Sequence, residues 1–162
     1  MPIAVGETLP DATFVAIGPN GPEPKSVADV FAGRKVALFA VPGAYTPTCT
    51  LNHLPGFVDN AEAFKAKGID AIVCVSVNDP FVMKAWGESS GAMAAGLHML
   101  ADPEAGFTKA IGMEFSAPPA GLINRSKRYA MLVEDRVVTA LNLEETPGKA
   151  EVSSAKTLLG QL

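Results

Sequence analysis

The sequence predicts an α/β fold in which a mixed central sheet carries helices on both faces. Two apolar runs, Val36–Val41 and Ile69–Val77, lack the alternating polar residues of a half-buried strand. Both therefore read as strands that are covered on both faces, as in a parallel sheet. Between them lies a helical stripe of apolar residues at Phe57, Val58, Ala61 and Phe64. A strand, a helical crossover and a second strand make a βαβ unit, which is typical of the α/β class.

The size and composition of the chain indicate one well-packed domain, residues 1–162. Apolar residues make up 48% of the chain and charged residues 19%, which argues against disorder. The net charge of −4 and the lack of a long basic run argue against nucleic-acid binding.

The compartment is predicted from the amino terminus and the cysteines. No signal peptide is recognisable, and no apolar run reaches the roughly 20 residues that span a bilayer. We therefore expect a cytoplasmic protein with no membrane partner. The two cysteines, Cys49 and Cys74, fit a reducing compartment, where a permanent structural disulfide is not expected.

Apolar runs and turn residues define the elements of the amino-terminal half. They are an apolar stretch at Ala12–Ile17, a Pro/Gly-rich turn at 18–24, a short helix from Ser26 to Gly33, the strand Val36–Val41, and a helix from Pro55 to Lys67. Cys49 lies after a Pro/Gly loop, at what reads as the first turn of a helix.

The carboxyl-terminal half begins with two Asp-Pro helix starts, in which Asp caps and Pro takes the first helical position. Its elements are a helix from Asp79 with Phe81, Val82, Ala85 and Trp86 on its apolar face, a strand at Leu97–Ala101, a helix from Asp102 to Ile111, an irregular loop at Met113–Asn124, a hairpin of Arg128–Glu134 and Val137–Leu143, and a last helix capped by Ser153 or Ser154. A βαβ unit followed by ββα is a thioredoxin-like arrangement.

The candidate nucleophile is Cys49, at the junction of a buried strand and a helix. In open α/β sheets, chemistry gathers where the carboxyl end of a strand meets the amino end of a helix. Backbone N–H groups and the helix dipole favour negative charge there, and the thiolate is the reactive form of cysteine.

Three further residues are candidates for catalytic and substrate-binding roles beside Cys49. Thr46 can hydrogen-bond the thiolate or a substrate oxygen, Pro42 shields the sulfur, and Arg128 is the best candidate by sequence for the cation. The tetrad Thr46–Cys49 lacks a second cysteine, so disulfide exchange within a C-x-x-C motif is excluded. A lone activated thiolate with a hydroxyl and an arginine suits attack on an O–O bond, which converts the cysteine to sulfenic acid.

The motif P-G-A-Y-T-P-T-C at residues 42–49 matches the P-x-x-x-T-x-x-C signature of peroxiredoxins. The segments T-P-T-C-T-x-x-H-L-P-G-F, V-S-V-N-D-P-F-V-M-K-A-W, S-K-R-Y and V-S-S-A resemble the type II, or peroxiredoxin-5, group along nearly the whole chain. The resemblance implies that Pro42, Thr46, Cys49 and Arg128 are the catalytic residues. It also implies a thioredoxin fold, hydrogen peroxide or alkyl hydroperoxides as substrates, no metal or organic cofactor, and a homodimer packed through the active-site loops.

Two departures from that family are visible. Tyr45 stands where phenylalanine is usual, which adds a hydroxyl at the loop. Animal members carry a resolving cysteine near the carboxyl terminus, where this chain has Ser153 or Ser154. Cys74 is then either a buried apolar strand residue or a resolving thiol for Cys49. If Cys74 is inert, an outside thiol must reduce the sulfenic acid; the resemblance implies glutathione with glutaredoxin first and thioredoxin second.

Other interpretations start from His53, four residues after Cys49. A zinc site built from both cysteines, His53 and His98 lacks the usual C-x-x-C or H-x₃-H pairing, so no metal is expected. A Cys–His hydrolase is disfavoured because the i, i+4 spacing is poor geometry for a general base. We keep one alternative of another class, a redox-responsive interaction protein in which oxidation of Cys49 alters assembly without sustained turnover.

Overall fold

The computed structural model describes residues 2–162. The strands are β1 Thr13–Gly18, β2 Gly21–Ser26, β3 Lys35–Val41, β4 Ala71–Ser76, β5 His98–Ala101, β6 Glu114–Ala117, β7 Leu122–Ser126, β8 Tyr129–Glu134 and β9 Val137–Leu143. The helices are α1 Val27–Phe31, α2 Leu54–Asp59, α3 Ala61–Ala66, α4 Pro80–Ser89, α5 Gly106–Ala110 and α6 Ala155–Leu159, with a π-helical turn at Cys49–His53 and a 3₁₀ turn at Pro118–Ala120.

The predicted mixed sheet with helices on both faces is confirmed. Seven strands lie in the order β2-β1-β5-β4-β3-β8-β9. Because side chains alternate along a strand, β3 feeds two cores. Its Ala37, Phe39 and Val41 pack with α2, α3, α4 and α6 on one face. Its Val36, Leu38 and Ala40 pack with α1 and α5 on the other face.

Several local predictions are confirmed with their physical reasons. Ser26 accepts from the backbone N–H of Asp29 and begins α1, and Asp79 accepts from the N–H of Val82 and begins α4. Asp135 and Arg136, both at positive φ (47° and 71°), turn the chain between β8 and β9. This backbone matches the type I′ turns that suit the twist of two-residue hairpins.

Two segments that the sequence predicts as a turn and a loop form strands in the structure. The Pro/Gly-rich segment 18–24 contributes most of β2, which lies at the edge of the sheet. Edge strands tolerate proline because one row of their backbone groups has no partner strand. The expected irregular loop Met113–Asn124 folds as the hairpin of β6 and β7, separate from the main sheet.

Three helix predictions need correction. The expected helix from Pro55 to Lys67 is two helices that meet at Asn60, whose φ of −104° and ψ of 10° interrupt the α geometry. The helix expected to start at Asp102 begins at Gly106, although the Asp102 carboxylate does accept from two N–H groups of its first turn. On α4, Phe81 is 63% exposed, whereas Trp86 is buried as expected.

Strand register brings two distant parts of the chain to one end of the sheet. β3 and β8 are antiparallel, with Ala40 opposite Tyr129. The carboxyl end of β3, which leads to Cys49, therefore lies beside the amino end of β8, which follows Arg128. No helix within residues 2–162 is long and apolar enough to cross a bilayer.

Candidate active site

Cys49 begins a π-helical turn that continues directly into α2. A π-bulge often marks a functional site, because the wider turn redirects a side chain. The thiol is fully buried rather than exposed on a loop, with 0% of the residue accessible. Its sulfur accepts a hydrogen bond from the Arg128 guanidinium, with Nη2 3.0 Å from Sγ. The structure thus brings together two predicted site residues that are 79 positions apart.

Arg128 is 2% exposed, and its guanidinium contacts three different partners. Nε donates to the carbonyl of Pro147 and Nη1 contacts Nδ1 of His53, both at 3.0 Å, while Nη2 points at Cys49. Among the ion pairs of residues 2–162, none involves Arg128. A buried cation without a carboxylate partner is costly unless another anion balances it. Of the three groups that Arg128 contacts, the Cys49 sulfur is the one that can carry a negative charge.

His53 supports Arg128 as a neutral acceptor. Its Nε2 lies 2.9 Å from the Ser153 carbonyl oxygen, which can only accept, so Nε2 carries the proton. Nδ1 is then unprotonated and accepts from Arg128. Burial, and secondly the charge of Arg128, lower the pKa of His53 to about 3. The partners of His53 lie 75 and 100 positions away in the chain, so no local sequence pattern indicated this role.

The loop at residues 42–46 is held by its own hydrogen bonds and by a second arginine. The Thr46 hydroxyl donates to the Gly43 carbonyl at 2.7 Å, so it does not donate to the Cys49 sulfur. Its oxygen retains lone pairs with which to accept from a substrate. Arg125 donates from Nη1 to the Pro42 carbonyl at 3.3 Å, a contact with no signal in the sequence.

A cleft of about 250 Å³ opens beside Thr46 and Arg128. The hairpin of β6 and β7 contributes one wall through Ala117, Ala120 and Leu122, and Pro47 and Pro147 line it as well. These side chains are apolar, so the cleft suits a small molecule with a polar head and an alkyl portion.

Cys74 lies in the middle of β4 and is fully buried. Burial, and secondly the proximity of Cys49, raise the pKa of the Cys74 thiol. Both cysteines are free thiols in the structure. Among residues 2–162, no cluster of three or more His, Cys, Asp or Glu side chains is arranged to hold a metal ion.

The fold and this site define a thioredoxin-like protein in which one of two buried cysteines, Cys49, is held against an arginine. The chain matches the Redoxin family over residues 4–159. Peroxiredoxin-2E-2, chloroplastic, of Oryza sativa subsp. japonica is 52% identical over 164 residues, which cover 99% of this chain and 72% of that protein. Peroxiredoxin-2B of Arabidopsis thaliana is 45% identical, with 99% of both chains covered.

The similar solved structures are also peroxiredoxins. Reduced Prx3 from Vibrio vulnificus, crystallised in complex with H₂O₂, has a TM-score of 0.91 and 51% identity over 98% of both chains. Peroxiredoxin 5 from Alvinella pompejana has a TM-score of 0.84 and 37% identity over 98% of this chain and 96% of that one. The chain belongs to the redoxin family and is a type II peroxiredoxin, a thiol peroxidase. The prediction made from the sequence motifs is confirmed.

The state of His53 predicts how stability depends on pH. The unfolded chain protonates His53 near its ordinary pKa of 6.5, whereas the folded protein does so only near pH 3. The stabilisation is therefore complete above pH 6.5 and is lost as the pH falls toward 3, by up to about 1.4 kcal/mol per pH unit. Urea unfolding of the wild type from pH 6.5 to 5 should show this loss, and His53→Gln should show a shallower one.

The matched control is His98→Gln. Burial also lowers the pKa of His98, but this side chain is exposed enough that we expect a smaller change in slope. If His53→Gln retained the wild-type slope, His53 would not be a neutral buried group.

Proposed function

We propose that Cys49 is the peroxidatic cysteine of this thiol peroxidase and that Arg128, Thr46 and Pro42 assist it. The observation that supports this most is the buried contact of 3.0 Å between Arg128 Nη2 and Cys49 Sγ. The thiolate attacks the terminal oxygen of ROOH, the O–O bond breaks, and RO⁻ leaves and takes a proton to become ROH. Cys49 becomes sulfenic acid. Arg128 stabilises the thiolate before attack and the leaving alkoxide afterwards, as fixed donors do in other enzymes.

The other two residues position the peroxide. The Thr46 oxygen accepts from the peroxide O–H, because its own proton is engaged by the Gly43 carbonyl. Pro42 lines the cleft without adding a donor that would compete for the thiolate. The apolar wall of Ala117, Ala120 and Leu122 supports alkyl hydroperoxides as substrates besides hydrogen peroxide. The V. vulnificus Prx3 complex with H₂O₂ is consistent with the smaller substrate.

The reductant in this proposal is an external thiol, glutathione with glutaredoxin first and thioredoxin second. A first thiol converts the sulfenic acid to a mixed disulfide and water, and a second thiol releases Cys49. Cys74 is a poor resolving thiol because burial disfavours the thiolate that would have to attack.

The interaction-protein alternative is not favoured, because near-full-length relatives are peroxiredoxins. A single domain over residues 1–162 stays a proposal, supported by the one seven-stranded sheet that joins β1 and β2 from the amino-terminal part to β8 and β9 from the carboxyl-terminal part. Its expected signature is one cooperative unfolding transition. A cytoplasmic location also stays a proposal, because it rests on the sequence alone. Two of the relatives are named chloroplastic and one mitochondrial.

We expect Cys49→Ser to abolish peroxide consumption while the fold survives, and Cys74→Ser to sustain turnover. The assay uses catalytic protein and excess hydrogen peroxide, with glutathione and glutaredoxin in one series and thioredoxin in another. Mass spectrometry of peroxide-treated wild type without thiol should show sulfenic or sulfinic acid on Cys49. Peroxidase activity in Cys49→Ser would remove Cys49 from the mechanism. A Cys49–Cys74 disulfide would make Cys74 the resolving residue.

Arg128→Ala should slow single-turnover reaction with peroxide by about 100-fold or more, the usual cost of one stabilising donor. Lys127→Ala, which changes a neighbouring cation without a contact to Cys49, should stay within about twofold of wild type. Stopped-flow measurement at several pH values separates loss of the thiolate from loss of leaving-group stabilisation. Equal rates in Arg128→Ala and wild type would exclude Arg128 from the site.

A homodimer packed through the active-site loops is part of the proposal. Leu51, in the π-helical turn that contains Cys49, is 72% exposed, which suits a residue covered by a second copy. Leu51→Glu should shift sedimentation velocity toward the monomer, whereas Val5→Glu, at a residue 60% exposed near the amino terminus, should not. A wild-type protein that is monomeric at micromolar concentration would contradict the dimer.

A further inference from the structure

The segment between β9 and α6 supplies backbone acceptors to the active site. The Pro147 carbonyl accepts from Arg128 Nε at 3.0 Å, and the Ser153 carbonyl accepts from His53 Nε2 at 2.9 Å. Residues 144–154 form neither helix nor strand. No helix or strand ladder fixes these two carbonyls. The segment is held by two backbone turn bonds, from Lys149 to Thr146 and from Ser154 to Glu151, and by side-chain contacts, one of them from the Thr48 hydroxyl to the Gly148 carbonyl.

Glu144 and Ser153 close this segment on itself. The Glu144 Oε2 atom accepts from the Ser153 backbone N–H at 2.7 Å and from its hydroxyl at 2.6 Å. The Glu144 backbone N–H donates to the Arg128 carbonyl at 3.0 Å. Glu144 is 8% exposed and Ser153 is 0% exposed, so both contacts are shielded from water. Buried hydrogen bonds to a charged carboxylate are among the stronger ones in proteins.

These contacts form a closed chain through the site. It runs from Cys49 to Arg128, from Arg128 to His53, from His53 to the Ser153 carbonyl, from Ser153 to Glu144, and from Glu144 back to the Arg128 backbone. Each link is 3.0 Å or shorter. A shift of the segment would therefore move the acceptors that orient the guanidinium.

We propose that Glu144 and Ser153 are positioning residues for peroxide reduction. Their contact holds residues 144–153 so that the Pro147 and Ser153 carbonyls keep Arg128 and His53 aligned with the Cys49 sulfur. This inference rests on the proposed roles of Cys49 and Arg128. It assigns a function to the acidic residue after β9 and to the first serine of the V-S-S-A segment, neither of which touches the sulfur.

The chain offers a matched neighbour for each residue. Glu145 is exposed, and Ser154 accepts from the Thr157 N–H and caps α6 instead of contacting Glu144. Glu144→Ala and Ser153→Ala are therefore compared with Glu145→Ala and Ser154→Ala. Glu144→Gln serves as the conservative variant, because its amide oxygen can still accept from Ser153.

The experiment measures two reactions of Cys49 in each variant after circular dichroism confirms folding. One is single-turnover reduction of hydrogen peroxide. The other is alkylation of Cys49 by iodoacetamide at alkaline pH, a reaction of the same sulfur that needs no aligned guanidinium. We expect Glu144→Ala to slow peroxide reduction by about tenfold, a loss typical of removing a residue that orients a catalytic group. The rate of alkylation should not fall to match. Glu144→Gln should recover part of the rate, and Ser153→Ala should lose less than Glu144→Ala.

The controls should stay within about twofold of wild type in both reactions. The proposal is overturned if folded Glu144→Ala matches Glu145→Ala in peroxide reduction, or if both reactions slow equally, since that pattern indicates a change in access to the sulfur. If Glu144→Ala does not fold, Glu144→Gln and Ser153→Ala decide by the same comparison. If the proposed function itself were wrong, the wild-type protein would not reduce peroxide, which distinguishes that outcome from a failure of the positioning role.

Discussion

The buried charge of Arg128 is the constraint on which the rest of the site depends. A guanidinium that is 2% exposed must direct its N–H groups at acceptors, or the cost of its burial is not offset. Two acceptors are neutral, the Pro147 carbonyl and His53, and they leave the positive charge unbalanced. The third is the Cys49 sulfur. A thiolate at this sulfur is the form of cysteine that balances this charge, and this geometry supports our proposal that Cys49 is the nucleophile.

The sheet explains how residues far apart in the chain meet at this charge. Six consecutive pairs, from Lys35 with Glu134 to Ala40 with Tyr129, fix the register of β3 and β8. A slip of one residue would turn every inward side chain to the opposite face, so the two cores packed against β3 enforce that register. Core packing thus determines the distance between Arg128 and Cys49, although neither residue belongs to the strands themselves.

Sequence reasoning succeeded where the physics is local and failed where it is not. Apolar runs, Asp and Ser caps, and the Asp135–Arg136 turn are short-range signals, and the corresponding elements are present. The strand β2 was missed because an edge strand tolerates Pro22 and Pro24, which read as a turn. Cys49, Thr46 and Pro42 share one loop, so one motif was enough to propose them together. The acceptors at Pro147 and Ser153 were not, because they are backbone carbonyls, which any residue type supplies.

The two cysteines show how environment, rather than residue type, divides the chemistry. Cys49 and Cys74 belong to the same apolar cluster, and both are fully buried. Cys49 has a guanidinium donor on its sulfur, whereas Cys74 lies among apolar neighbours in the middle of β4, where burial raises the pKa of its thiol. The proximity of Cys49 raises the pKa of the Cys74 thiol further. This contrast supports our proposal that Cys49 is the reacting thiol, that Cys74 does not resolve it, and that the electrons that restore Cys49 come from a thiol outside the chain.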